Sequence, residues 1–343
     1  MHDRVNETIR KYVMEHGLPE RDVGQEDADD RFRVVIVGCG GAGINTIDQL
    51  HRIRMTGAET IAVDTDRQHL DMVQADRRIL IGKSLAKGLG AGGSPEVGRR
   101  TAEMARWALE EALDYPDLCF LTAGMGGGTG TGAAPVVAQM AKDQGATVIG
   151  LVGYPYNVET ACLVRAKEGL AALHQVTGPV VVLDNNRLGP RLPARLPGQG
   201  FTAMDRLIAE TIAAICETIT ERTLIMIDHA DLRTLMSRDG VAVMLTGESD
   251  RGAGARSAAL ECLSNPMFDI DYRGATGALI HVTGGSDLTL EATEEIVSEL
   301  EYELDPHADV IWGARTRSGF DGRVRVVAIM TGIGSARASR TTR

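Results

Sequence analysis

Apolar positions along the first half of the chain fall into short runs, and each run is followed by a glycine-rich turn and a stretch with helical spacing. A run in which nearly every residue is apolar is typical of a strand that is buried on both faces, as in a parallel sheet covered by helices. The pattern therefore predicts a mostly parallel sheet. Its strands are expected at residues 34–37, 60–64, 118–122, 147–152 and 179–184.

The pattern changes after a segment rich in Pro, Gly and Arg at residues 189–200. Residues 201–221 carry apolar side chains at helical spacing and predict one long connecting helix. Beyond it, strand-like segments at 241–245, 278–283, 310–312 and 323–330 alternate with helix-like segments at 253–263 and 289–302, which is typical of a second α+β domain.

The two ends of the chain differ from this core. Residues 1–32 predict a short helix and an acidic linker, and residues 335–343 are polar and basic, so we expect a disordered tail. The expected organisation is thus an N-terminal extension at 1–32, a first domain at 33–200, a connecting helix at 201–221, a second domain at 222–334 and a tail at 335–343.

Composition narrows the class of protein. With 343 residues and 43% hydrophobic content the chain can bury a large core. A formal charge of −11 disfavours nucleic acid as a partner, because phosphate neutralisation needs clustered Lys and Arg. Aromatic residues make up only 4%, which also disfavours a stacking surface for bases.

Cysteine usage and hydropathy indicate a cytoplasmic protein. The cysteines have no metal-binding spacing, so we expect buried thiols in a reducing compartment. No apolar run reaches the roughly 20 residues that a membrane-spanning helix needs, so no direct membrane insertion is expected. The five cysteines are Cys39, Cys119, Cys162, Cys216 and Cys262.

The first glycine cluster follows the first predicted strand. Gly38, Gly40 and Gly43 fit the spacing G-x-G-x-x-G, and Asp64 ends the next strand about twenty residues later. Glycines at such a turn let the backbone approach a phosphate at a helix N-terminus. On this motif alone, an NAD-dependent oxidoreductase is the first hypothesis.

A second cluster makes that hypothesis less attractive. Residues 126–132 read GGGTGTG between a predicted strand and a helix at 133–142, and a third glycine-rich loop lies at 88–93. A dinucleotide fold needs one such loop, whereas several loops with the Thr129 and Thr131 hydroxyls could surround a di- or triphosphate. The P-loop pattern G-x-x-x-x-G-K-[ST] is absent from the sequence.

On the motif at 126–132, the chain from about residue 33 to 334 resembles the tubulin/FtsZ GTPases. The resemblance implies an α/β fold with a Rossmann-like GTPase domain, a parallel sheet, a long central helix and a second α+β domain. It implies GTP/GDP with Mg²⁺ as cofactors. The implied phosphate and sugar contacts are Gly40, Gly41, Ala42, Gly43, Asn45, Asp64, Asp66, Gly90, Ala91, Gly92, Gly93, Gly126, Gly127, Gly128, Thr129, Gly130, Thr131, Gly132, Glu159, Arg165 and Asn185.

The resemblance also assigns base recognition to the central helix. Phe201 would stack on guanine, although core packing is the other interpretation of this residue. Asp205 would accept hydrogen bonds from the guanine N1–H and the exocyclic amine. A carboxylate suits that edge because guanine offers two parallel donors, which adenine lacks.

Hydrolysis, by the same resemblance, needs a second subunit. Asp228 and Asp231 match the acidic residues that position the attacking water on the nucleotide of the next subunit, although Asp228 could instead cap a helix and Asp231 could favour its first turn. A site that is split in this way implies a head-to-tail homopolymer. It implies a role in cell division, in the cytoplasm at mid-cell, with division-ring adaptor proteins as possible partners.

Several positions depart from the family's pattern. Met226 and Ile44 stand where Asn is usual, Thr160 stands where Gly is usual, and Arg165 is only the nearest candidate for the family's nucleotide-contacting Arg. Asp64 also replaces an Asn and adds charge near the phosphates. We therefore expect slow hydrolysis. A GTP-binding paralogue that does not hydrolyse is the alternative, which the retained Asp228 and Asp231 oppose, and an oxidoreductase is the weaker one.

Overall fold

The computed structural model describes residues 32–188, 198–220, 229–236, 241–249, 253–267 and 270–333. The expectations for residues 1–31, for 189–197 and for the tail at 335–343 lie outside these ranges. Within them, no helix is long and apolar enough to cross a membrane.

The first half of the chain forms a parallel sheet. Its strands lie in the order β3-β2-β1-β4-β5-β6, so the first strand is inside the sheet and later strands are added on both sides of it. The strands are β1 (Val34–Cys39), β2 (Glu59–Asp64), β3 (Arg77–Leu80), β4 (Leu118–Gly124), β5 (Thr147–Tyr154) and β6 (Val180–Asp184). The helices are α1 (Gly40–Arg52), α2 (Arg67–Met72), α3 (Pro95–Met104), α4 (Arg106–Leu113), α5 (Thr129–Asp143), α6 (Thr160–Val176) and α7 (Asn185–Leu188).

The second half continues the same sheet in the order β7-β10-β8-β9. Strand β10 is antiparallel to β7 and β8, whereas β8 and β9 are parallel, which gives the mixed pairing of an α+β unit. A single parallel register pair, Val181 with Ala242, joins β6 to β7. The elements are α8 (Gly198–Thr220), α9 (His229–Met236), β7 (Val241–Ser249), α10 (Ala255–Leu263), β8 (Gly277–Gly284), α11 (Leu290–Glu301), β9 (Asp309–Thr316) and β10 (Val324–Ile333).

Burial follows the hydrophobic pattern closely. Every residue of β1 is buried, as expected for a strand that is covered on both faces. In α8 the apolar side chains that repeat at helical spacing, among them Ile208, Ile212 and Ile215, are also buried. The predicted parallel sheet, long central helix and second α+β region are therefore confirmed.

Several elements differ from the sequence-based prediction, among them one strand and the starts of two helices. Strand β3 was not predicted, because its four residues are exposed or half-buried and form no apolar run. Helix α5 begins at Thr129 and not at Ala133, and α8 begins at Gly198 and not at Phe201. In α5 the reason is packing: a side chain at Gly132 would lie 1.9 Å from the Pro95 carbonyl oxygen, so α3 and α5 touch through glycine inside the helix.

Candidate functional site

A cavity of about 340 Å³ lies at the carboxyl ends of β1, β4, β5 and β6. This edge is where open parallel sheets bind ligands, and the volume is that of a small-molecule site. Nine of the residues predicted from the sequence line it. They are Gly41, Ala42, Gly127, Gly128, Thr129, Gly130, Glu159, Asn185 and Asp205.

The β1–α1 loop and the N-terminus of α5 meet at this cavity. Gly40 has φ +69°, and a side chain there would lie 2.6 Å from the Gly130 nitrogen, so the two loops touch through their backbones. Neither α1 nor α5 has a side-chain cap at its N-terminus. Their first-turn N–H groups and helix dipoles therefore favour an anion such as a phosphate.

The glycines of these loops divide into two groups. Gly43 packs α1 against β4, since a side chain there would lie 2.5 Å from the Thr122 carbonyl oxygen. Gly132 packs α5 against α3 in the same way. Within the described part of the chain, Gly127 has no atom within 4 Å of its hypothetical Cβ, and it lies on the cavity wall. Gly40, Gly43 and Gly132 therefore bring elements together, while Gly127 leaves room for a ligand.

Thr131 supports the loop and does not line the cavity. Its hydroxyl accepts a 2.8 Å hydrogen bond from the Gly126 N–H. Gly126 has φ +100° and lies against Cys162. Arg165 donates from Nε to the Gly126 carbonyl oxygen at 2.7 Å, which fixes its guanidinium beside this loop.

The third loop packs beside the second. A side chain at Gly128 would lie 2.8 Å from both the Ala91 Cβ and the Ser94 nitrogen. Gly93 lies within 4 Å of the Arg165 guanidinium, measured from its hypothetical Cβ. Gly90 and Gly92 have positive φ and complete the turn, so residues 90–93 pack beside the GGGTGTG loop but do not line the cavity.

In the loop after β2, backbone N–H groups of the same loop supply hydrogen-bond partners for the Asp64 carboxylate. Asp64 is buried, and its Oδ1 accepts hydrogen bonds from the N–H groups of Thr65 (2.7 Å) and Asp66 (3.3 Å). Burial raises the pKa of Asp64, and the backbone hydrogen bonds oppose that rise. The Thr65 hydroxyl lies 2.6 Å from that of Thr129, which links this loop to the cavity wall. The charge of Asp64, expected beside the phosphates, thus has partners in its own loop.

Asp66 has a structural role in the same loop. Its Oδ1 accepts from the His69 N–H at 3.2 Å and caps the N-terminus of α2. Its backbone pairs with Leu89, which joins the second loop to the third.

The opposite end of the cavity carries two buried polar side chains. Asp205, on α8, is 6% exposed, and burial raises its pKa to about 7, against the effect of a hydrogen bond from Asn45. Asn185 follows β6 and is also buried. Glu159 is held by a 2.9 Å hydrogen bond from the Tyr156 N–H to its Oε2. A buried carboxylate next to an amide can recognise a ligand edge with two parallel donors.

The side chains of two predicted site residues lie outside the described part of the chain. Phe201 lies within α8, but its side chain is outside the described part of the chain, and Asp228 is outside it altogether. Asp231 lies in the first turn of α9, where it is exposed, and it does not line the cavity of its own chain.

The structure adds residues that the sequence did not single out. Met204 and Ile208 flank Asp205 on the same face of α8, and their helical spacing could have identified them. Cys162 also lines the cavity and is half-buried, so the expectation of buried thiols is wrong for this cysteine and right for the other four. His69 reaches Asn45 from another element, and no local signal predicts that contact.

Two family models match the chain. The model of the tubulin/FtsZ family, GTPase domain, matches residues 33–190, and the model of the FtsZ family, C-terminal domain, matches residues 240–334. Both halves of the sheet are therefore covered by matches that point to one superfamily.

Individual relatives agree with these matches. Cell division protein FtsZ 2 of Haloferax volcanii is 51% identical over 333 residues, which is 96% of this chain and 83% of that protein. Cell division protein FtsZ 2 of Methanocaldococcus jannaschii is 52% identical over 90% of this chain and 82% of its own length.

Solved structures show the same fold. An empty FtsZ dimer from M. jannaschii superposes with a TM-score of 0.86 at 38% identity and covers 96% of this chain and 92% of its own. A CetZ2 protofilament from Haloferax volcanii with bound GTPγS has a TM-score of 0.74 at 21% identity, covers 89% of this chain and 95% of its own, and supports the fold alone. On the family models and the close relatives, this chain belongs to the tubulin/FtsZ family of GTPases.

Proposed function

We propose that this protein binds GTP in the cavity beside Asp205, hydrolyses it to GDP and phosphate, and assembles head to tail into filaments that serve cell division. It would act in the cytoplasm at the mid-cell division site, with adaptor proteins of the division ring as further partners. The relatives at about half identity are named as cell division proteins, which supports the role.

The observation that carries the proposal is the polarity of the cavity. One end has two uncapped helix N-termini and glycine loops, which suit a polyphosphate. The other end has the Asp205 carboxylate, which suits the N1–H and amine of guanine. A guanine nucleotide satisfies both ends, whereas adenine would leave the carboxylate without its donors.

Magnesium fits the phosphate end by its donor chemistry. The Thr129 hydroxyl, on the cavity wall, is a hard oxygen, and Mg²⁺ is commonly held by few protein ligands together with substrate phosphates. When bound there, Mg²⁺ would neutralise phosphate charge. The protein's own part is to orient the phosphates with the backbone N–H groups of α1 and α5.

We propose that catalysis is completed by a second copy of the chain. Asp231 is exposed in the first turn of α9 and does not line its own cavity, which supports a role on a neighbour's nucleotide together with Asp228. Such carboxylates would orient the attacking water. A contact between two different surfaces of the same chain repeats without closing and gives a filament.

The proposed domain division follows the same scheme. A GTP-binding domain at 33–200, a connecting helix at 201–221 and a C-terminal domain at 222–334 accord with the family matches at 33–190 and 240–334.

The alternative is a paralogue that binds GTP without hydrolysis, and the unusual residue Ile44 was one argument for it. Because Ile44 is buried among Ala62, Leu70 and Val73, its side chain has a packing role and no longer supports that alternative.

The test is GTP turnover per protein molecule over a range of protein concentrations with Mg²⁺ present. A split site predicts a threshold concentration, above which the specific activity rises with assembly. Turnover that is independent of concentration would contradict the split site. Tight GTP binding without turnover would favour the non-hydrolysing paralogue, and absence of guanine-selective binding would overturn the proposal.

A further inference from the structure

A chain of polar side chains runs behind the cavity from the base end to the loop after β2. The side chain of Asn45, on α1, is the hydrogen-bond partner that lowers the pKa of the Asp205 carboxyl. The Asn45 Oδ1 lies 2.9 Å from Nε2 of His69, on α2. The other ring nitrogen of His69, Nδ1, lies 3.8 Å from Oδ2 of Asp64, an ion pair whenever the ring is protonated. Three separate elements thus meet through the His69 ring.

The ring is held in this position by its surroundings. The His69 N–H is bound to the Asp66 carboxylate at the start of α2. A side chain at Gly41 would come within 3.3 Å of the His69 Cε1, so the ring lies directly beside the β1–α1 loop. Gly41 itself lines the cavity. His69 therefore sits immediately behind the cavity wall and does not line the cavity.

Hydrogen-bond chemistry gives the His69 contact a direction. An amide oxygen only accepts, so the His69 Nε2 must carry a proton and donate to Asn45 Oδ1. With its oxygen engaged in this way, the Asn45 amide must present its NH₂ group towards Asp205. In the opposite amide orientation the Asn45 oxygen would face the carboxylate of Asp205. A hydrogen bond could then form only if Asp205 were protonated and donated it.

We propose, resting on the function proposed above, that His69 is a positioning residue for guanine selectivity: by holding the Asn45 amide in one orientation, it keeps Asp205 in the form that accepts two guanine donors. The residue acts through Asn45 and not by touching the nucleotide. If Asp205 were protonated or rotated, the exocyclic amine of guanine would face a donor or no partner. A base that offers only N1–H would lose less, so the preference for guanine would fall.

The environment of Asp205 makes this orientation consequential. Burial raises the pKa of Asp205 to about 7 even though the hydrogen bond from Asn45 acts to lower it. Among the described residues, Glu159 and Cys162 are the titratable side chains that share the cavity lining with Asp205, and His69 and Asp64 lie behind Asn45. Loss of the Asn45 bond would leave the burial effect unopposed, so the carboxyl would ionise at higher pH.

The test compares binding of GTP and of ITP, which lacks the exocyclic amine, to the full chain between pH 6 and 8.5. His69→Gln retains a donor of similar reach, whereas His69→Leu fills a similar volume without one. We expect H69L to lose about tenfold of the GTP-over-ITP preference and to require higher pH for GTP binding, and H69Q to retain most of both. Equal preferences and pH profiles in wild type and H69L would overturn the proposal.

His51 provides the matched control. His51 lies on α1, as Asn45 does, but away from the cavity lining, and its Nε2 lies 2.9 Å from the hydroxyl of Thr60 on β2. We expect H51L to leave the GTP-over-ITP preference unchanged. A loss equal to that of H69L would indicate a general effect of removing a histidine and would overturn the specific role.

A measurement without nucleotide separates this inference from the proposed function and does not depend on the variants. The ¹⁵N shifts of the His69 ring at pH 8 in the wild-type protein distinguish a protonated Nε2, which the proposal requires, from a bare one, which would overturn it. If Nε2 is protonated but the wild-type protein does not bind GTP, the hydrogen bond to Asn45 stands, whereas the proposed function and the guanine role of His69 are both refuted.

Discussion

The loops around the cavity and the central helix are joined to their neighbours by different means. In the parallel half, β1 to β6, loops and helices meet through glycine backbones, as at Gly40 against Gly130 and Gly132 against Pro95. In the other half, charged side chains attach the central helix. Arg325 of β10 bonds to Glu210 of α8 at 2.8 Å.

The charged contacts form a small network. Arg325 also bonds to Glu248 of β7 at 2.9 Å, and the guanidinium groups of Arg323 and Arg325 lie 5.1 and 5.3 Å from the centroid of the Phe320 ring. Further along α8, Glu217 pairs with Arg315, whose pKa burial lowers to about 10. Close backbone contact at the glycines places helix N-termini at the cavity, whereas the charged groups of this network are paired with one another.

The largest expected effect is on the backbone contacts. Gly132→Ala places a methyl group 1.9 Å from the Pro95 carbonyl oxygen, so α3 and α5 must separate. Alanine gains about 1 kcal/mol of helix propensity, but overpacking at this distance costs about 3 kcal/mol, so we expect net destabilisation. Denaturant unfolding of the ligand-free protein measures it.

Gly127→Ala is the control for that prediction. No atom of the described residues lies within 4 Å of its hypothetical Cβ, so the free energy of unfolding should change by less than about 0.5 kcal/mol. Because Gly127 lines the cavity, we expect weaker GTP binding. Equal destabilisation by the two substitutions would refute the division of the glycines into two groups.

The next effect concerns Asp205. Asp205→Asn replaces an acceptor by a donor at the guanine edge, so we expect GTP affinity to fall by about ten- to a hundredfold, the value of a hydrogen bond to a charged group. ATP should be far less affected. Competition titrations with GTP and ATP measure this ratio, and an unchanged ratio would exclude Asp205 from base recognition.

The same substitution should stabilise the ligand-free protein at high pH. Burial raises the pKa of Asp205 to about 7, so between about pH 4 and 7 the folded state binds more protons than the unfolded chain. Wild-type stability therefore falls as pH rises through this window, and D205N lacks this contribution. We expect a larger stability advantage of D205N at pH 8 than at pH 4.5, measured by thermal unfolding. An equal advantage at both pH values would contradict this.

The smallest effect is expected in the charged half. Arg325→Met removes partly exposed ion pairs to two elements, and we expect a loss of about 1 kcal/mol, screened by salt. Arg99→Met removes pairs to Glu96 and Glu103 within α3, which are exposed, and should change stability less. Urea unfolding at low and high salt measures the loss of stability in the two variants. A larger loss for R99M than for R325M would contradict the role given to the ion pairs of Arg325.

Sequence periodicity was enough to predict the buried strands and the central helix. Strands such as β1 and β4 are continuous apolar runs, and α8 has an apolar face. The β3 strand was missed because a short edge strand with exposed side chains has no hydrophobic pattern. The start of α5 was missed because glycine disfavours a helix locally, while packing against α3 requires glycine at Gly132.

The candidate site was predictable where its residues share one motif. Gly127, Gly128 and Thr129 of one loop all line the cavity, as expected. The hydrogen-bond partners of Asp64 could not be predicted, because they are backbone N–H groups that no spacing encodes. His69 was missed because its contact with Asn45 spans 24 residues and exists only after folding.

The central claim is that one chain's Asp205 site is completed by another chain's Asp231. The direct test mixes two inactive variants, Asp205→Ala, which cannot hold GTP, and Asp231→Ala, which cannot complete a neighbour's site, and measures GTP turnover of the mixture with Mg²⁺. The account predicts turnover well above the sum of the separate variants, because D231A subunits bind GTP and D205A subunits supply Asp231. A mixture no more active than its components would contradict a site shared between subunits.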